Sequence, residues 1–173
     1  HLPIRHERSR HVLNRSVILN QLIAYQEIKK HQSPALSLLP IKPHPRQAEF
    51  LALQCEEGLF GGATGGGKTE TLLMWLAEGV YISDYSGVIF RRYEADLTEG
   101  NSSVLAKSMR LYPSLGGKLA GLEWKFPSGA TIEMSGIAHD RSVLSVQGKA
   151  FHRVAFDELT HFTEAMYEFV IRN

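Results

Sequence analysis

The sequence predicts an α/β fold with a mostly parallel sheet flanked by helices, and three observations carry that prediction. Short apolar runs, "SGVIFRRY" (Ser86 to Tyr93) and "FHRVAFDE" (Phe151 to Glu158), alternate with stretches of helical pattern. Five of the fifteen glycines crowd between Gly61 and Gly67, joining an apolar "GLF" to a run of good helix formers. Two alternating runs, "LEWKF" and "ATIEMSG", surround Pro127-Ser128-Gly129 and read as a β-hairpin inserted beside the sheet.

Taken in order, Leu13, Val17, Leu22, Ile23 and Ile28 recur at helical spacing, so an amphipathic helix is expected from Arg10 to about Gln32. Ser33 to Pro45 carries four prolines in thirteen residues and reads as an extended linker. A short helix from Arg46, closed by Gly58, comes next, and Gly58-Leu59-Phe60 ends a short buried strand. The glycines give way to a helix from Gly67 to about Tyr81. The strand Ser86 to Tyr93 precedes a helix from Ser102 that Pro113 stops. After the hairpin come the strand Phe151 to Glu158 and a last helix with Thr163 as its N-cap. Residues 1–40 thus form a basic helical segment and linker ahead of a domain spanning 41–173.

Composition excludes several classes. The chain is 43% hydrophobic and 21% charged, ordinary for a globular protein, and contains no repeat or low-complexity tract. No run approaches the roughly 18 apolar residues of a membrane span, and no apolar signal-peptide region follows the polar start. The lone Cys55 excludes an internal disulfide, fits a reducing cytoplasm, and is expected as a small buried residue. One cysteine, with His1, His6 and His11 spaced by five, argues against a zinc site. Residues 1–46 hold eight Lys/Arg against two acids, while the remainder is acidic. Such a basic head suits nucleic acid, an acidic partner, or merely a solvated helix face. The first residue is His, not Met, so the sequence reads as an excerpt.

Gly62-Ala63-Thr64-Gly65-Gly66-Gly67-Lys68-Thr69 matches G-x-x-x-x-G-K-[ST] without a gap. A triphosphate needs many N–H donors converging on it, and glycine lets the backbone wrap that closely. The helix that follows aims its N-terminal N–H groups at the phosphates. Lys68 adds a mobile charge for the β- and γ-phosphates, and Thr69 a hydroxyl for Mg²⁺. Nucleotide binding is therefore assigned to Gly62, Ala63, Thr64, Gly65, Gly66, Gly67, Lys68, Thr69 and Glu70, with Lys68 also catalytic.

The second half of the site is "HRVAFDELTHF". Asp157 and Glu158 follow a buried strand, at the sheet edge where ligands of open α/β sheets bind. Asp157 is the expected Mg²⁺ residue and Glu158 the expected general base for the water attacking the γ-phosphate. An Asp-Glu pair alone is a common helix start; the loop some 90 residues earlier gives it meaning. No N-K-x-D guanine signature is present, and Thr160 stands where a helicase box needs His or Asp. The fold class is then a P-loop NTPase of the additional-strand, catalytic-glutamate type, incomplete at its C-terminus.

These parts, in order, resemble the large terminase subunit of tailed bacteriophages. The segments are "HPRQAEFL", "FGGATGGGKTETLL", "VIFRRYEADL", "WKFPSGATIEMSG" and "SVQGKAFHRVAFDELTHF", covering about Ile41 to Asn173. The resemblance is to the N-terminal ATPase domain, which in that family precedes an RNase H-like nuclease domain. It implies ATP and Mg²⁺ as cofactors, double-stranded DNA driven into a procapsid, and a homo-oligomeric ring. It also implies a portal protein and a small terminase subunit as partners, action in the host cytoplasm, and no membrane. Arg46 and Gln47 match the adenine-side element, although Gln47 also reads as a surface residue. Arg91 and Arg92 match a basic strand end, one for phosphate or DNA and the other a solvated terminus. Ala63 and Thr64 stand where many members carry an arginine, and Gln147 precedes Gly148 where others do. A trans-acting arginine would then come from Arg141 or Arg153. The family's later coupling motif and nuclease carboxylates are not found, so no DNA cleavage is expected of this segment. Two rival readings are a helicase-like DNA translocase and a nucleotide-binding docking fragment without turnover.

Overall fold

The computed structural model describes residues 33–63, 65–139, 143 and 146–172. The helix expected over Arg10 to Gln32 lies outside the described residues. The first described element corrects the linker reading: Pro34–Leu38 is a helix, α1. Pro34 occupies its first turn, where a missing N–H costs nothing, and the Ser33 hydroxyl accepts from Ala35 N at 3.3 Å. Ala35, Leu36 and Leu39 are buried in the main core, so prolines here punctuate a packed segment. Helix α2, Pro45–Leu51, ends well before Gly58. Residues 53–58 are all exposed, Cys55 included, contrary to its expected burial, because Gln54, Glu56 and Glu57 leave no apolar face to continue the helix.

Helix α3, Lys68–Ala77, follows the glycine-rich loop and buries Leu73, Met74, Leu76 and Ala77. Two buried tyrosines hold it: Tyr85 Oη donates to Leu76 O at 2.9 Å and Tyr112 Oη to Leu73 O at 3.0 Å. Burial pushes both phenols up from their ordinary range. Strand β1 is Ser86–Arg91, followed by the short helix α4, Glu94–Thr98, and by α5, Val104–Leu111. The chain turns through a 3-10 segment, Tyr112–Leu115, into β2, Lys118–Ala120, β3, Glu123–Lys125, and β4, Thr131–Gly136. Strand β5 is Arg153–Phe156 and the last helix, α6, Glu164–Arg172. Met166 N donates to Thr163 Oγ1 at 3.3 Å, the expected N-cap. Neither α4 nor β2 has a strong enough sequence pattern to be expected.

The sheet runs β2-β3-β4-β1-β5, with β1 parallel to both β4 and β5, while β3 is antiparallel to β2 and β4. It is therefore mixed around a parallel core, not mostly parallel. The hairpin is no insertion: its tight turn forces β3 and β4 antiparallel, yet β4 is an inner strand with Ile132 and Met134 buried. Strand β1, between β4 and β5, is buried on both faces, which explains its continuous "GVIF". Ile89 joins the core beneath α3, whereas Val88 and Phe90 pack with Met166 and Val170 of α6.

The strand expected at Gly58-Leu59-Phe60 is not formed, and Leu59 is 80% exposed. A strand requires a ladder partner, and β5 at the sheet's edge bonds only β1. Phe60 instead packs its ring against Phe50 at 5.1 Å.

Candidate active site

The carboxyl ends of β1 and β5 face the N-terminus of α3 across a cavity of about 760 Å³. Residues Gly65 to Glu70 form one wall; Arg91, Asp157 and Glu158 form another; Lys107 and Arg110 of α5 close the side. The loop acquires its shape from glycine. Gly65 has φ of 83° and Gly67 of 71°, both in the left-handed region where a side chain is strained. A Cβ on Gly67 would also stand 2.5 Å from Gln47 Nε2.

That contact gives Gln47 its place. Buried to 4% exposure, it donates from Nε2 to Gly67 O at 3.1 Å and accepts from His44 N at 2.8 Å through Oε1. Gln47 thus ties α2 to the last turn of the loop, while its neighbour Arg46 is exposed. Lys68 Nζ donates to Gly62 O and Ala63 O, each at 3.0 Å, so the lysine folds back over its own loop. Thr64 lies outside the described residues. Glu70 faces α5, 3.4 Å from Lys107 Nζ and 3.3 Å from Arg110 Nη2.

The two halves meet at Thr69, whose Oγ1 donates to Asp157 Oδ2 at 3.0 Å. Both residues are buried, Asp157 to 2% exposure. Asp157 stays at the strand line, its N donating to Phe90 O at 2.9 Å, but Glu158 departs from it with φ of 58°. Adjacent residues on a strand point to opposite faces; the left-handed turn brings the second carboxylate into the same cavity as the first. Such a conformation costs about 1–3 kcal/mol for a non-glycine residue.

Arg91 bridges the pair. Its Nε donates to Asp157 Oδ2 at 2.9 Å, its Nη2 lies 2.8 Å from the same oxygen, and Nη2 reaches Glu158 Oε1 at 3.3 Å. His161 Nδ1 stands 3.3 Å from the other oxygen, Oε2. Of the two basic residues ending β1, Arg91 therefore faces the site, whereas Arg92 bonds Met166 Sδ on the opposite face. Arg153 lies at the far end of β5, paired with Glu78 Oε2 at 2.7 Å and stacked over Trp75 at 4.7 Å. Arg141 lies outside the described residues. Sequence reasoning missed Lys107 and Arg110, which carry no signal beyond ordinary basic residues on a helix.

No group of three or more His, Cys, Asp or Glu suited to a metal occurs among the described residues. The Thr69 hydroxyl and Asp157 carboxylate, hard oxygens 3.0 Å apart on the cavity wall, nevertheless fit Mg²⁺ held partly through water. Among the described residues no helix is long and apolar enough to cross a membrane.

The domain is thus of the α/β class: a five-stranded mixed sheet with a parallel core, flanked by helices, with a glycine-rich loop at the start of α3 facing an acidic strand end. The family model described as terminase large subunit, T4likevirus-type, N-terminal, matches residues 59–172. The chain belongs to that family, as its ordered motifs predict. No curated protein and no solved structure matched it.

Proposed function

We propose that this domain hydrolyses ATP with Mg²⁺ and thereby powers the packaging of double-stranded DNA into a viral procapsid. One observation carries the reading: Lys68 and Thr69, at the start of α3, share a cavity with Asp157 and Glu158 at the end of β5. Loop amides and Lys68 bind the phosphates, Lys68 by leaving the loop carbonyls it now caps. Thr69 and Asp157 would hold Mg²⁺, which would supply positive charge against the phosphates. Glu158 accepts a proton from water as its oxygen bonds to the γ-phosphorus and the bond to ADP breaks. Positioning and charge supply most of the rate, as in phosphoryl transfer generally.

Family membership supports DNA as the substrate moved, together with a homo-oligomeric ring, a portal protein, a small terminase subunit, and action in the host cytoplasm. DNA contact is to the backbone, hence sequence-tolerant and sensitive to salt.

The test compares ATP turnover and fluorescent-ADP binding in the wild type and Glu158→Gln. Turnover should fall by about 100-fold or more, the usual contribution of a general base, with ADP affinity retained. A wild type that binds ADP without any Mg²⁺-dependent turnover would favour a docking role and overturn hydrolysis.

A further inference from the structure

Arg91 is the one cation among the described residues that touches Asp157, and it does so at the oxygen that also accepts from Thr69. Asp157 is exposed to only 2%, and the Arg91 guanidinium meets its Oδ2 through two nitrogens, Nε and Nη2. The arrangement is built rather than incidental. Arg91 ends β1, which is registered in parallel with β5, so the two strand ends place arginine beside aspartate. Its remaining nitrogen, Nη1, donates to Asp96 O at 3.4 Å, and Nη2 leans on Glu158. Every nitrogen of the fork has an acceptor. Of the other cations lining the cavity, Lys68 is turned onto Gly62 O and Ala63 O, and Lys107 and Arg110 pair with Glu70.

We propose that Arg91 is an internal counter-ion that holds the metal's place on Asp157, so that guanidinium and divalent metal compete for one carboxylate oxygen. The inference rests on the reading of Thr69 and Asp157 as the Mg²⁺ residues, and adds a regulator to that site. A divalent cation held by Asp157 would repel the guanidinium paired with the same carboxylate. Arg91 would then withdraw from Asp157, with Asp96 O and Glu158 Oε1 retaining it beside the general base. It is thus a positioning residue: it reports the arrival of metal at Asp157 to the carboxylate of Glu158.

The experiment measures thermal unfolding and fluorescent-ADP binding across a Mg²⁺ titration from EDTA upward, for the wild type, Arg91→Gln and Arg91→Lys. Arg91→Gln should melt several degrees lower in EDTA and recover most of the difference with Mg²⁺. Its Mg²⁺ midpoint, in unfolding and in ADP binding, should lie about tenfold or more below that of the wild type. Arg91→Lys, which keeps the charge but not the fork, should fall between and serves if the glutamine variant folds poorly. Adding Asp157→Asn to Arg91→Gln should abolish the Mg²⁺ response. Equal Mg²⁺ midpoints in wild type and both variants, with ADP binding intact, would overturn the role of Arg91 alone. A wild type that binds no ADP with or without Mg²⁺ would remove the nucleotide reading, and this inference with it.

Discussion

Two arginine–carboxylate clusters lie at opposite ends of the same strand, and they are chemically alike. At the amino end of β5, Arg153 pairs with Glu78 at 2.7 Å and stacks on Trp75. At the carboxyl end, Arg91 pairs with Asp157 at 2.8 Å and leans on Glu158. The first cluster is closed: its guanidinium also bonds the Trp75 carbonyl, and it fastens the end of α3 to the sheet. Burial raises the pKa of the Glu78 carboxyl, against the pull of its arginine. The second opens on a cavity of about 760 Å³ shared with a phosphate-type loop. Ion pairing alone therefore says little about function; what the pair faces decides it.

Breaking the two ends separately should sharpen the contrast. Lys68→Ala removes the mobile charge at the open end. With a charged hydrogen bond contributing about 1.5–3 kcal/mol, ADP affinity in a fluorescence titration should drop roughly 10- to 100-fold, with little change in melting temperature. Arg153→Gln strikes the closed end, leaving Glu78 without its charged partner. We expect a loss of about 1–3 kcal/mol in denaturant unfolding and unchanged ADP affinity. If nucleotide affinity falls in step, the two ends are not independent.

Gly67→Ala touches both properties at once. Its positive φ costs an alanine about 1–2 kcal/mol, and the new methyl displaces Gln47. Both unfolding and ADP binding should weaken, whereas Gln47→Ala in the same background should recover part of the steric loss. The smallest effect is expected from Tyr112→Phe. It removes one hydrogen bond to Leu73 O and should cost about 1 kcal/mol by denaturation, with nucleotide binding untouched.

The parts of this architecture legible in sequence are those set by neighbouring residues. The glycine loop, the hairpin turn at Pro127-Ser128-Gly129, the N-cap at Thr163 and the acidic strand end each announce themselves within a dozen positions. What escaped depends on distant partners. The packing of α1 is hidden behind prolines because its burial is conferred by the core it meets. The absent strand at Leu59 follows from the lack of a ladder partner, which no local pattern records. Arg91 read as one of two equivalent basic residues until the parallel register of β1 and β5 set it against Asp157 and turned Arg92 away. The positive φ at Glu158, which brings both carboxylates to one cavity, likewise has no signature in "DEL".

Helix α3 touches β5 at both of its ends: Thr69 on Asp157 near the loop, and Trp75 with Glu78 on Arg153 at the other. It behaves as a bar riveted twice to one rail. The spacing between the loop and the acidic pair is then fixed by the length of a helix and a strand, not by the wandering of side chains. Loosening the rivet at Arg153 would weaken the bar's far end, while Thr69 on Asp157 still holds the loop against the acidic pair. The distance between loop and acidic pair is settled when the domain folds, at the rivet of Thr69 on Asp157, and the second rivet adds stability.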